Sequence, residues 1–178
     1  MIRPEFKKVL LDQRGAAIIL WSVFTISIPL YLVIARKLLS NVNLGANRNI
    51  AEPARLIFWL LALIDLGYYA YWRKRNFTPQ AIVRDARQTK LFRALEEFQG
   101  SVEEQAAYCV ATFVTRKVVI FAIIEALAVY GFVLAFLGRF VGDQYLFSLL
   151  SLILLALEFP SARSVENLLR QTEPAPKN

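Results

Sequence analysis

The chain has 178 residues, of which 57% are apolar and 20% charged, with 21 Lys and Arg against 14 Asp and Glu for a net charge of +7. Soluble domains run about 45–50% apolar and about 25% charged, so a disordered chain, a collagen and a disulfide scaffold are excluded. With one cysteine, Cys109, and no histidine, an internal disulfide, a His-ligated metal, a His-based triad and a haem with a His axial ligand are excluded too.

The apolar excess falls in four blocks, at 16–35, 54–72, 118–137 and 143–159. A helix crossing the hydrocarbon core of a bilayer needs about 20 mostly apolar residues. Backbone exposed to lipid must bond to itself, so each block should be helical. The pattern predicts an all-α polytopic membrane protein with four transmembrane helices in a single membrane domain, 1–178.

Ahead of the first block, Phe6, Val9, Leu10 and Gln13 share one helical face among Lys7, Lys8 and Arg14. This suits either a short interfacial helix or a frayed tail. The first block is longer than the 7–15 apolar residues of a signal peptide, and no small-x-small site follows it; an uncleaved span is expected. Pro29 removes a hydrogen bond to the Thr25 carbonyl and should kink this helix. Ser22, Thr25 and Ser27 are placed to compensate. The stretch Ser40 to Asn49, rich in Asn and Gly, reads as a loop.

The second block is unusually aromatic, with Phe58, Trp59, Tyr68, Tyr69, Tyr71 and Trp72. Tyr71 and Trp72 suit the interfacial belt. The others suit packing, or contact with a lipid, quinone or pigment ring; packing is the commoner use, and no cofactor is expected.

The connection 73–117 carries its own helical signals. Thr78-Pro79 reads as N-cap and first helical position, and Ile82, Ala86, Leu91, Leu95 and Phe98 recur at helical spacing up to about Phe98. Gly100 breaks that helix. Ser101-Val102-Glu103-Glu104 is a capping box, and no Gly or Pro follows until Gly131. A continuous helix about 50 Å long, from Val102 to Leu137, is therefore expected.

In the third block Ala128, Gly131, Ala135 and Gly138 form a small-residue face, against which the second or fourth span should pack. Gly138 to Gln144 is short enough to force a tight antiparallel hairpin. The fourth block is short, and three readings stay open: it begins at Phe140, it thins the bilayer locally, or it does not span fully. After Pro160, Val165, Leu168 and Leu169 mark a short amphipathic helix within Ser161 to Gln171. The segment 172–178 reads as a disordered tail.

Sixteen Lys and Arg lie in the N-terminal segment, the connection and the tail, and five in the two remaining loops. The positive-inside rule then places both termini and the connection in the cytoplasm of a bacterial inner-membrane protein. Arg36 and Lys37 fall on the disfavoured side and can snorkel to headgroups. The +7 charge beside the spans points to anionic lipid at the cytoplasmic face, not to nucleic acid. The sequon Asn76-Phe77-Thr78 falls on the same side, so it is not expected to be glycosylated.

A bare charge inside a span costs about 2.5–3.5 kcal/mol on insertion scales. Asp65 and Glu125 each lie seven residues, or about 10 Å, inside the cytoplasmic ends of their blocks. If they meet, they should share a proton. Tyr68 and Tyr69 are candidate donors to Asp65, and Arg116 is a candidate partner of the pair. Glu125 should point into the bundle and be protonated or hydrogen-bonded at pH 7. Glu158, one turn before Arg163, reads as a surface ion pair.

From Ile124-Glu125-Ala126-Leu127-Ala128-Val129-Tyr130-Gly131 through Leu137, the chain resembles the carboxylate-bearing helix of the c subunit of rotary ATP synthases. The resemblance implies that Glu125 carries a proton or ion. It covers about 14 residues, and the Gly-dense partner helix of that family has no counterpart, since block two holds only Gly67. The four-span layout with a basic middle also resembles bacterial membrane proteins of no assigned activity.

No phosphate loop, CxxC, metal-ligand cluster or nucleophile–base pair occurs in the sequence. The expected role is therefore non-enzymatic. It is that of a small structural or accessory subunit of a membrane assembly, partnered by other membrane subunits or by its own copies. The alternatives are a proton or ion carrier using Glu125 and Asp65, and a membrane-embedded enzyme.

Overall fold

A computed structural model describes residues 4–41, 48–88 and 102–172. All the regular structure among the described residues is α-helical: α1 (Pro4–Asn41), α2 (Arg48–Asn76), α3 (Pro79–Gln88), α4 (Val102–Gly138), α5 (Val141–Leu157) and α6 (Ala162–Thr172). Among the described residues two segments, Arg14–Ser40 and Ala106–Gly138, are long and apolar enough to cross a membrane. The expected loop at 40–49 is helical at 40–41 and 48–49, and its remainder, 42–47, lies outside the described residues, as do the expected helix beyond Gln88, the Ser101 cap and the tail after Thr172.

α1, α2 and α4 overrun the apolar blocks that nucleate them at both ends, whereas α5 stops at Leu157, inside its block. α1 passes without a break through Pro29. Thr25 Oγ1 donates to Trp21 O at 2.8 Å, and Ser27 Oγ stands 2.8 Å from Phe24 O. Hydroxyls thus bond the carbonyl ladder in the turn before the proline, as expected. α4 is unbroken from Val102 to Gly138, matching the expected continuous helix.

The chain divides into two compact units. The first takes residues 1–20, 72–118 and 160–178. Within it α3 packs on α6, and Ile82, Ala106, Cys109, Val110, Phe113 and Val165 form a buried core. Thr78 caps α3 by accepting the Ala81 N–H at 3.3 Å, as the Thr-Pro signal predicts. Arg116 donates to the Asn76 carbonyl and to the Asp85 carboxylate, tying α4 to the end of α2 and to α3. Burial alone would raise the Asp85 pKa. The Arg84 hydrogen bond and the Arg116 charge outweigh it and hold the carboxyl below its ordinary value. Lys117, 6% exposed, rests its ammonium 4.9 Å from the Phe77 ring.

The second unit takes residues 21–71 and 119–159. Its core is Ala62, Leu127, Leu134 and Phe147, flanked by Phe58, Trp59 and Tyr130. Gly131 lets α5 come close: a Cβ there would stand 3.0 Å from both Gln144 Cα and Phe147 Cβ. With Ala128 and Ala135 fully buried beside it, the small-residue face receives α5, one of the two expected partners. The turn from α4 to α5 is two residues long. It is made by Arg139 in the left-handed region, φ 56°, while the Phe140 ring folds over Gly138, where a Cβ would not fit.

This unit is apolar on its outside. Val23, Ile26, Leu30 and Val33 on α1 are exposed. So are Leu56, Ile57, Leu60, Leu63 and Ile64 on α2, and Leu146, Leu149, Ile153 and Leu157 on α5. Its buried residues include Asp143, Gln144, Ser148, Ser151 and Glu158.

Candidate functional site

Three carboxylates of the second unit each accept a hydrogen bond from a tyrosine on another helix. Tyr31 of α1 donates to Glu125 of α4 at 2.8 Å. Tyr130 of α4 donates to Asp65 of α2 at 2.7 Å. Tyr69 of α2 donates to Glu158, the C-cap of α5, at 2.8 Å. A phenol is well suited to such a tie, because its rigid ring spans the gap between helices and its neutral hydroxyl brings no second charge into a poorly solvated place.

Other polar ties run beside these. Arg55 of α2 grips Asp143 of α5 through two nitrogens, at 2.6 and 3.0 Å, and its guanidinium lies 4.8 Å from the centre of the Phe140 ring. Gln144 Nε2 of α5 donates to the Tyr31 carbonyl at 3.2 Å. Trp21 Nε1 donates to Leu155 O at 2.8 Å, and Ser151 Oγ to Ile124 O at 3.0 Å. Side-chain bonds therefore run from α1 to α4, α4 to α2, α2 to α5 and α5 back to α1. All four helical segments of this unit are joined in a closed circuit.

Asp65 and Glu125 have separate hydrogen-bond donors. Glu125 Oε1 takes Tyr31 and stands 2.8 Å from Ser27 Oγ, while Asp65 Oδ2 takes Tyr130. Two of the candidate partners, Tyr69 and Arg116, are corrected. Tyr69 turns to Glu158 rather than Asp65, and Tyr68 is 44% exposed. Neighbours at i+4 on a helix lie only about 5–6 Å apart, so a tyrosine ring carries its hydroxyl past its own turn and onto the next helix. Arg116 lies nine residues before Glu125, about 13 Å along α4, and belongs to the first unit, on Asp85. Glu158 is no surface residue; it is 3% exposed.

The donors Ser27, Tyr31 and Tyr130 and the Arg55–Asp143 pair escaped the sequence reading. Their signal was weak but present: a tyrosine on the first and third blocks as well as the second, and one arginine at the edge of block two. Phe58 and Trp59 place their rings against Tyr130 and Phe147, with centroids 5.5 and 4.8 Å apart, so these two aromatics serve packing. Among the described residues no group of three His, Cys, Asp or Glu side chains is placed to hold a metal.

No protein-family model, no curated protein and no solved structure matches this chain.

Proposed function

We propose that the chain is a non-enzymatic, multi-pass inner-membrane protein that serves as a small structural or accessory subunit of a membrane assembly. One observation carries this reading. The second unit is apolar outside as well as in its core, it buries a few polar groups, and its carboxylates are spent on ties between its own helices. Water would drive that apolar face inward, whereas lipid leaves it in place and favours hydrogen bonds between helices. The N-terminal apolar helix supports the same view, since only 11% of its apolar window is buried within the protein.

In this reading α1, α2, α4 and α5 supply four spans, with both termini and the connection 73–117 cytoplasmic. Anionic lipid meets the basic cytoplasmic face. Reporter fusions test the topology: Asn43 and Arg139 should report the outside and Lys90 the inside. An outside signal at Lys90 would refute the arrangement. Gentle solubilisation of the tagged full chain should yield other membrane subunits or a homo-oligomer; a strictly solitary chain would refute the assembly role.

A second reading, a proton or ion carrier, draws on one feature of Glu125. Ser27 Oγ has a single proton but lies 2.8 Å from two acceptors, Phe24 O and Glu125 Oε1. A proton on Glu125, donated to Ser27, would complete the count. Glu125→Gln should then leave the protein folded and abolish pH-driven flux in liposomes. Unchanged flux would dismiss the carrier.

A further inference from the structure

Between the C-terminal turns of α1 and the first turns of α5 lies a groove of about 470 Å³, lined by Leu32, Arg36, Leu39, Val141, Gln144 and Tyr145, with Ser40 at its end. We propose that this groove binds the phosphate headgroup of an anionic phospholipid in the leaflet opposite the cytoplasmic one. The proposal rests on the membrane reading above and assigns a ligand to a place that reading leaves open.

Four observations converge here. The volume is that of a small-ligand site, about 300–1,000 Å³. Arg36 is exposed and forms no ion pair among the described residues. Its planar guanidinium can grip a phosphate through two nitrogens. The lining is divided as a lipid requires. Leu32, Leu39 and Val141 offer apolar wall for the glycerol and first acyl carbons, while Arg36, Ser40, Gln144 and the Tyr145 phenol offer polar contacts.

The level is right as well. Arg36 is the first residue past the apolar block 16–35, and Val141 opens α5, so the groove lies where headgroups begin. The charge rule disfavours an arginine on this side, and a bound phosphate offsets that cost. Lys37, adjacent in sequence and equally exposed, does not line the groove. It is a control for bulk charge.

The test uses the full chain, inserted in one orientation, in phosphatidylcholine vesicles in which only the leaflet opposite the cytoplasmic face carries spin-labelled phosphatidylglycerol or spin-labelled phosphatidylcholine. Wild type should hold the anionic label about fivefold more strongly, the scale set by one basic side chain near an anionic surface. Arg36→Gln should abolish that preference and Lys37→Gln should keep it. Equal retention of both labels, or equal loss in both variants, would overturn the proposal. Displacement by free inorganic phosphate would overturn it too, by assigning the groove to a soluble anion. Flotation separates the two levels: a chain that does not float with the vesicles fails the membrane reading itself, whereas one that floats without preference fails only the groove.

Discussion

Tyr31 and Glu125 are 94 residues apart in sequence and 2.8 Å apart in space. Their bond fastens α1 to α4 in the middle of an apolar unit. Tyr31→Phe should lower thermal stability in detergent by about 1–2 kcal/mol, the worth of one such bond. Glu125→Gln should stay folded, because the amide oxygen still accepts. Glu125→Leu should be the most damaging of the three, because Tyr31 and Ser27 then lose their shared acceptor. A double-mutant cycle between Tyr31→Phe and Glu125→Leu, each of which removes the bond, should show coupling of at least about 0.5 kcal/mol; simple additivity would deny the contact.

The tyrosine ties should rank by burial. Glu158 is 3% exposed and Tyr69 7%, while Asp65 and Tyr130 are half-buried. Loss of one donor costs an acceptor more where water cannot take the donor's place. Tyr69→Phe should therefore cost about 2–3 kcal/mol and Tyr130→Phe about 1 kcal/mol, measured by thermal unfolding in the same detergent. The reverse order would contradict the burial argument.

Gly131 sets the distance between α4 and α5. Ala there gains helix propensity, but its Cβ meets Gln144 backbone at 3.0 Å, which cannot yield as a flexible side chain would. Overpacking of this kind costs about 1–3 kcal/mol. Gly131→Ala should be destabilising and Gly131→Val more so. Gly15→Ala, with open space around the new methyl, should be neutral or stabilising by up to about 1 kcal/mol.

The first unit should loosen in acid. Burial pushes the Asp85 carboxyl up, but Arg84 and Arg116 outweigh it and hold the group below its ordinary carboxylate value. A carboxyl depressed in the folded state adds stability above its unfolded pKa, about 3.9. That stability is lost as pH falls through the lower folded value. Cys109 is 1% exposed in the same core, so its labelling by a disulfide reagent reports opening. Asp85→Asn should label faster than wild type at pH 7, and the two rates should converge at the acid end. A constant ratio across pH would remove Asp85 from the account.

Much of the helical frame was legible in the sequence, because helices are local. The Thr78-Pro79 start, the unbroken run to Gly138 and the short turn before α5 follow from propensity, capping and the absence of breakers over neighbouring residues. The close approach at Gly131 was legible too, since a face of small residues announces itself by spacing alone. Asp65 and Glu125 stood out for the same kind of reason: a charge inside an apolar run is a local anomaly.

Their partners were a different matter. Tyr31, Ser27 and Tyr130 lie on other helices, and which helix faces which depends on rotation and depth about axes that the chain pattern does not specify. Equal depth made contact between Asp65 and Glu125 possible without deciding it, and helix packing handed each a phenol of its own. The same lack of rotational information hid Glu158, which looked like a surface residue by position. Burial of a helix end is a property of the packed unit. The sequence determined the elements and marked the carboxylates, and tertiary structure chose their partners, because hydrogen bonds between helices are set by packing geometry rather than by neighbours in the chain.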